Sequence, residues 1–502
     1  MNQYVYFGGV KKLFLLLLFF VFYFSKSVYS QDNVAVDSLW QLSMKWEKED
    51  SLGKWLGCHK RIHEIYRNKG LTVSSLFILS KAIENPWRAP NTTTEIKNLA
   101  WTYVNRAYLF EHNLGNFLKA KSDYEKACQL FHEIEKENFY ITRYVWHPVG
   151  NIYTRLGENK QAIHFIRKSL HSYQELEASS HVADAYNDLG LIYMNMSEPQ
   201  KAIEAFDKGI TINSPDHNGL IYSNKANAFL ALEEFSQGIQ AVKKSILLLE
   251  EQENNPLKEN FLMGAHTRYG NLLSHVGIYK EAENQFEKAL RYKDVLASIK
   301  HRKIASIYIG MAENSLLLED QAQAAHYFQK AIIQCISSFD DPNLQTNPLT
   351  NQLEAEINLG RALVGKAKTA KLLYEKNKNI GWLLIAQDCF ELYFEWEKLL
   401  RAEYRYEASK LLFTKELHQT AESVIELLLQ LQELNVKGKW AEKAFQYIEQ
   451  TKGILLSESL VRASLSIPQL INDSELIELN LYQKQLQMSK TNSQFTTTHD
   501  SL

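Results

Sequence analysis

The chain has 502 residues, 45% hydrophobic and 23% charged, with 9 prolines, a balance that fits an ordered helical protein and excludes a charged, proline-rich disordered one. Lys and Arg number 56 against 58 Asp and Glu, so a net charge of −2 offers no basic excess for a nucleic-acid backbone. Four cysteines, Cys58, Cys128, Cys335 and Cys389, lie far apart without a CxxC pair, which excludes a dense disulfide framework.

At the N-terminus, Lys11 and Lys12 precede the apolar run Leu13–Phe24 (LFLLLLFFVFYF), and Val28-Tyr29-Ser30 before Gln31 supplies a small residue at the cut. Residues 1–30 therefore read as a secretory signal peptide, the run being shorter than the ~20 residues a spanning helix needs. The protein is expected to be exported, to the periplasm or the outside; the alternative is a membrane tether formed by an uncleaved signal anchor. The segment holds three lysines and no acid, so the remainder carries −5. For the cysteines of an exported chain two readings stay open, buried small hydrophobes or one long-range disulfide.

Residues 36–94 read as a degenerate leading repeat and linker. In Ser38–Asn68, Trp55, Cys58, Ile62 and Ile65 share a helical face; Leu71–Asn85 is a second helix stopped by Pro86, and Trp87–Thr94 (WRAPNTTT) is a loop.

Residues 95–338 hold about six copies of one pattern. Tyr186–Ile210 (YNDLGLIYMNMSEPQKAIEAFDKGI) sets it: two amphipathic helices joined at Ser197-Glu198-Pro199. His147–Leu170, Tyr222–Ile246, Thr267–Leu290 and Tyr308–Ile332 follow the same template, and Ala107–Cys128 follows it with one extra residue before Gly115. The small residue of the second helix recurs at Ala120, Ala162, Ala202, Gly238, Ala282 and Ala324, in steps of 42, 40, 36, 44 and 42. A large residue follows at Tyr124, Ile166, Phe206, Val242, Phe286 and Phe328, and three further on the small type returns. One such hairpin cannot bury its apolar stripe alone, so the period implies a stack.

This small–large–small signature across Trp101–Ser337 resembles the tetratricopeptide repeat, TPR. The resemblance implies an all-α fold, a right-handed superhelical solenoid of helical hairpins whose first helices line a concave groove. Residues 339–351 (FDDPNLQTNPLTN) form the largest cluster of breakers and read as a linker; 352–490 is a divergent helical region and 491–502 a polar tail. Within that region Glu354–Lys490, with long helices ending in AFQYIEQTKGILLSESL and followed by Ile467-Pro468 and the charged helix Glu475–Lys490, resembles the segment that precedes the caspase-like CHAT peptidase module, and the chain stops where that His/Cys module is expected to begin.

No HExxH spacing, no glycine-rich phosphate loop and no Cys/His pair in an open site occurs, and Cys58-His59, adjacent on a helix, face different directions. The expectation is a non-enzymatic scaffold with neither cofactor nor metal, whose partner is a protein or peptide and not nucleic acid, with membrane association only through an uncleaved signal segment. The alternative is the regulatory half of a CHAT-type peptidase whose catalytic half is missing or encoded separately. By resemblance to TPR proteins, the groove residues are Asn151, Arg155, Asn187, Asn227, Arg268 and Asn271. An asparagine carries donor and acceptor and can pair with the amides of an extended peptide; an arginine meets an acidic side chain or terminal carboxylate.

Overall fold

The computed structural model describes residues 34–114, 116–134, 138–212, 215–296, 300–403 and 414–449. The signal segment, the polar tail and, of the stretch 354–490 compared with CHAT-associated linkers, residues 404–413 and 450–490 lie outside them. The described residues are all-α, a succession of helical hairpins with no strand among them. They divide into two compact units, parting between Ile152 and Tyr153. That division falls inside the copy His147–Leu170, not at the 339–351 segment.

The first unit contains α1 (34–48), α2 (Leu52–Asn68), α3 (Thr72–Glu84), α4 (Thr93–Tyr108), α5 (Phe117–Ile134), the single turn α6 (Phe139–Ile141) and the start of α7 (His147–Arg155). Thr92 caps α4, its hydroxyl accepting from the Glu95 N–H at 3.2 Å. The extra residue seen in the copy Ala107–Cys128 is absorbed as a π-helical turn at Leu109–Asn113, the way a helix accepts one inserted residue without unwinding. Of the residues α2 was expected to turn inward, Trp55, Cys58 and Ile62 are buried and Ile65 is half-buried.

The second unit continues through α8 (Asn159–Glu175), α9 (Ser179–Asn195), α10 (Pro199–Thr211), α11 (Pro215–Ala231), α12 (Phe235–Glu250), α13 (Pro256–His275), α14 (Tyr279–Arg291), α15 (Arg302–Leu317), α16 (Gln321–Cys335), α17 (Ile357–Asn377), α18 (Ile380–Glu403), α19 (Thr414–Glu433) and α20 (440–449). Prolines open α10 and α13, where a missing N–H costs nothing, and Asn255 caps α13 through the Lys258 N–H at 2.8 Å.

Two devices repeat. The first is the packing expected from the period. Ala120, Ala162, Ala202, Gly238, Ala282 and Ala324 are all buried, as are Tyr124, Ile166, Phe206, Val242, Phe286 and Phe328. Three of the large side chains, Phe206, Phe286 and Phe328, lie where a neighbouring backbone has no side chain in the way. A methyl built on Gly190 would stand 2.3 Å from the Phe206 ring, one on Gly270 2.6 Å from Phe286, and one on Gly365 2.2 Å from Phe328. The second device is the turn inside each hairpin. Gly157, Ser197, Glu233, Gly277 and Glu319 adopt left-handed backbone (φ 71°, 58°, 60°, 80° and 59°). In each, the following N–H closes onto the carbonyl five residues earlier, as Glu234 does onto Phe229 at 2.9 Å, satisfying a terminal acceptor of the first helix.

The breaker-rich segment 339–351 lies against the array. The Lys366 ammonium, on α17, donates to Gln329 Oε1 (2.6 Å), the Thr346 carbonyl (2.9 Å) and Asn347 Oδ1 (2.7 Å), while Gln329 Nε2 donates to the Asp341 carbonyl at 2.6 Å. Beyond it α17 and α18 form a further hairpin, so one buried cluster runs from Ala305 on α15 to Ala444 on α20.

Candidate peptide-binding face

In the second unit, consecutive first helices touch: α9 meets α11, α11 meets α13, α13 meets α15 and α15 meets α17, whereas consecutive second helices make no comparable contact. First helices that crowd while second helices spread place the first-helix layer on the inner side of the stack, the surface such arrays offer to a partner.

Side chains bridge this layer from helix to helix. Asn224 Nδ2 on α11 donates to Asn187 Oδ1 on α9 at 2.8 Å, and Asn224 Oδ1 accepts from Arg268 Nη2 on α13 at 3.0 Å. Arg268 Nη1 donates to Ser223 Oγ at 3.0 Å, and Lys303 on α15 donates through Nζ to Asn260 Oδ1 on α13. Asn187, Ser223 and Asn224 are buried. Withdrawal from water pushes the Arg268 guanidinium down to about 10. Lys303 is pushed down to about 8, first by burial and then by the positive charges of Arg268, Arg155 and Arg302. Both remain cations at neutral pH.

The six expected groove residues therefore have different fates. Asn151 is half-buried and belongs to the first unit. Arg155 is exposed at the end of α7, with its charge felt at Lys303. Asn187 is buried and tied to Asn224 and, at 3.3 Å, to Asp188 Oδ1, so its amide is spent within the fold. Arg268 is half-buried and holds α13 to α11. Asn227 and Asn271 occupy the same register on touching helices α11 and α13; Asn227 is exposed, Asn271 half-buried, and neither side chain hydrogen-bonds to another described residue.

Ser223, Asn224, Asn260 and Lys303 belong to the same layer and were not anticipated. Ser223 and Asn224 stand one and two residues after the opening Tyr222, the pair of Asn187 after Tyr186. That offset from the aromatic, rather than from the small residue, is the signal that marks them.

Among the described residues no three His, Cys, Asp or Glu side chains are grouped to hold a metal ion, and no helix is long and apolar enough to cross a membrane. All four cysteines are free thiols, and Cys58, Cys335 and Cys389 are buried. Burial pushes these three thiols up, Cys389 to about 11.

Two tetratricopeptide-repeat family models match the chain, at residues 102–131 and 183–215. Over 98 residues the chain is 28% identical to the response regulator aspartate phosphatase E of Bacillus subtilis (strain 168), a match spanning 20% of this chain and 26% of that protein. Among solved structures, a tetratricopeptide repeat protein from Parabacteroides merdae is similar with a TM-score of 0.38 and 15% identity, over 61% of this chain and 98% of that one. A Rap protein complexed with competence and sporulation factor is similar with a TM-score of 0.46 and 12% identity, over 74% and 99%. The hairpin α13–α14 repeats the glycine-to-aromatic packing and left-handed turn of α9–α10, and the two matched stretches, which fall on α4–α5 and α9–α10, are tetratricopeptide repeats.

Proposed function

We propose that the chain is an exported, non-enzymatic scaffold that holds an extended peptide segment of a partner protein along the first-helix layer of its second unit. The observation that carries this is the pair Asn227 and Asn271: two amides in equivalent register on adjoining helices, making no side-chain hydrogen bond to another described residue. An amide side chain offers a donor and an acceptor together, the complement of a peptide group, and a row of them reads backbone rather than side chain. Burial raises the thiols of Cys58, Cys335 and Cys389, which speaks against a thiolate nucleophile at these three positions, because the thiolate is the reactive form. The apolar run Leu13–Phe24 behind Lys11 and Lys12 supports export.

The test is capture of partners by the wild type and by an Asn227→Ala/Asn271→Ala variant. Loss of the captured proteins from the variant, with the melting temperature unchanged, is the expected result. A variant that retains every wild-type partner would exclude this face.

A further inference from the structure

We propose that the hairpin-turn edge of α11–α16 is a second docking surface, one that receives an amphipathic helix whose aliphatic row is flanked by lysine or arginine. The surface lies at the tips of the hairpins, and the inference is independent of the peptide-binding face.

Three successive tips are laced together. The Phe235 ring, after the α11–α12 turn, stacks on His275 at the end of α13 with centroids 5.4 Å apart. Asn314, near the end of α15, accepts through Oδ1 from Ser274 Oγ at 2.8 Å and donates through Nδ2 to the Tyr279 carbonyl at 3.1 Å, which ties it to both sides of the α13–α14 turn. Val276 and Ile278 stand between Ser274 and Tyr279, and Leu317 and Leu318 one helical turn beyond Asn314, so the four form one aliphatic ridge. Val276 is 39% exposed, and Ile278, Leu317 and Leu318 are each 50% exposed. Single exposed leucines are common; a contiguous group at turns, where polar residues ordinarily stand, marks an interaction site.

Ile278 is the sharpest departure. The residue after the left-handed position opens the second helix, and it is Glu158, Glu198, Glu234 and Asp320 in the turns of α7–α8, α9–α10, α11–α12 and α15–α16. An acid there favours the positive end of the helix, and the Asp320 carboxylate accepts from the Gln323 N–H at 3.0 Å, whereas Ile278 makes no side-chain cap. The chain gives up a helix cap for an isoleucine and leaves half of that side chain outside the core.

The surroundings specify the occupant. Residues 231–235, 275–280 and 317–320 hold four carboxylates, Glu233, Glu234, Glu319 and Asp320, against one ammonium, Lys280. An aliphatic ridge in an acidic rim complements leucines flanked by cations and repels an acidic partner. The backbone favours a helix over an extended strand, because N–H groups at the tips are already taken: Ile278 donates to the Leu273 carbonyl and Asp320 to that of Ser315, each at 2.9 Å. A strand needs such donors, while a helix arrives with its own backbone satisfied. The spacing agrees, since packed helices lie roughly 8–10 Å apart and leucines seven residues apart on a helix are separated by about 10 Å.

The test is fluorescence anisotropy of the full chain with two labelled peptides, each carrying leucines at helical spacing, one filled out with lysine and the other with glutamate. The lysine peptide is expected to bind at least 10-fold more tightly and to slow amide exchange at 276–280 and 317–320. Ile278→Asn supplies a capping side chain and should melt no lower than the wild type; it and Leu317→Ser should each weaken the lysine peptide about 10-fold. Leu257→Ser, which alters an exposed leucine at the opposite end of α13, should leave it unchanged, as should Asn227→Ala/Asn271→Ala. Equal affinity for the two peptides, or indifference to Ile278→Asn and Leu317→Ser, would overturn the assignment. So would self-association of the wild type, or binding to phosphatidylcholine vesicles, that Ile278→Asn abolishes, because either gives the ridge another occupant. Loss of the lysine peptide from Asn227→Ala/Asn271→Ala would move it to the first-helix layer and leave the edge without a ligand.

Discussion

The ring of Phe206 lies over Gly190 so closely that a methyl there would sit 2.3 Å from ring carbon, and Phe206 is fully buried, with no room to retreat. Gly57, in the middle of α2, has nothing within 4 Å of the same construction. The two glycines therefore respond to alanine with opposite sign. Gly190→Ala should destabilise by about 1–3 kcal/mol through overpacking, and Gly57→Ala should stabilise by about 0.5–1 kcal/mol because alanine loses less backbone freedom on entering a helix; urea midpoints for the two variants check both. A third site tests the turns. Glu233 is held at φ 60°, a conformation that costs an L-residue roughly 1–2 kcal/mol, and glycine adopts it freely. After allowance for glycine's greater freedom in the unfolded chain, Glu233→Gly should raise stability by about 0.5 kcal/mol, read as a higher melting temperature. These residues were legible in the sequence to unequal degrees. The period exposed Gly190 and Phe206 because close packing leaves a residue-size signature; it gave no warning that Glu233 and Glu319 take the place filled by Gly157 and Gly277 in equivalent turns, because the hydrogen bond that imposes the left-handed backbone involves no side chain.

Among the elements, α2 is the one whose stability should follow pH. His59 is fully buried, its Nδ1 3.0 Å from the Trp55 carbonyl, its ring 4.0 Å from that of Trp55 and 5.3 Å from that of Trp40. His63, one turn on and equally buried, pairs through Nδ1 with Ser75 Oγ on α3 at 2.6 Å. Nε2 of each has no partner. Burial, more than the nearby lysines and arginine, pushes both imidazoles down to about 4. An unfolded histidine titrates near ~6.5, so between about 6.5 and 4 the unfolded chain binds two protons that the folded one refuses. Stability from this source is complete above pH 7 and is lost as pH falls from about 6.5 toward 4, at up to roughly 2.7 kcal/mol per pH unit for the pair. Urea unfolding followed by the fluorescence of Trp40, Trp46, Trp55 and Trp87 at pH 7, 5.5 and 4.5 measures it, and His59→Leu should halve the slope. A slope that is flat in the wild type would show that these rings are charged or open to water in the fold. The sequence placed α2 correctly through Trp55, Cys58 and Ile62, yet gave His59 and His63 no part in the core, since apolar periodicity does not register a histidine buried as a neutral ring. The groove was half legible for a related reason. Register located the inner layer through Asn187, Asn227 and Asn271, but which asparagine is spent on a neighbouring helix depends on inter-repeat spacing, and the spacings here vary from 36 to 44 residues.

For the molecule as a whole, the composition of residues 339–351 suggests a place where the chain could be divided, and the packing argues otherwise. Phe328 and Ile332 of α16, with Ile336 and Phe339 after it, share one buried cluster with Leu359, Ala362 and Leu363 of α17. The α17 backbone comes so close at Gly365 that a methyl there would lie 2.2 Å from the Phe328 ring. Asp, Asn and Pro in 339–351 break helices, but their carbonyls and amides are taken up by Gln329 and Lys366, whose own burial is tolerated because those oxygens receive them. A repeat array has nearest-neighbour stability, so the last hairpin before a cut loses the surface that covered it. A chain stopped at Ser338 should therefore expose Phe328, Ile332 and Ile336, bind a hydrophobic dye, and lose amide-exchange protection in α15 and α16 while α9 to α12 keep theirs. In the full chain, limited proteolysis should spare 339–351, and Lys366→Ala, which strands Gln329 Oε1 at a cost of about 1–3 kcal/mol where it stays dry and removes one of two donors from the Thr346 carbonyl and from Asn347 Oδ1, should make the segment the first to be cut. Unchanged protection of α15 and α16 in the shortened chain would restore the boundary that the composition suggests, because only a hairpin that needs no cover from α17 behaves that way.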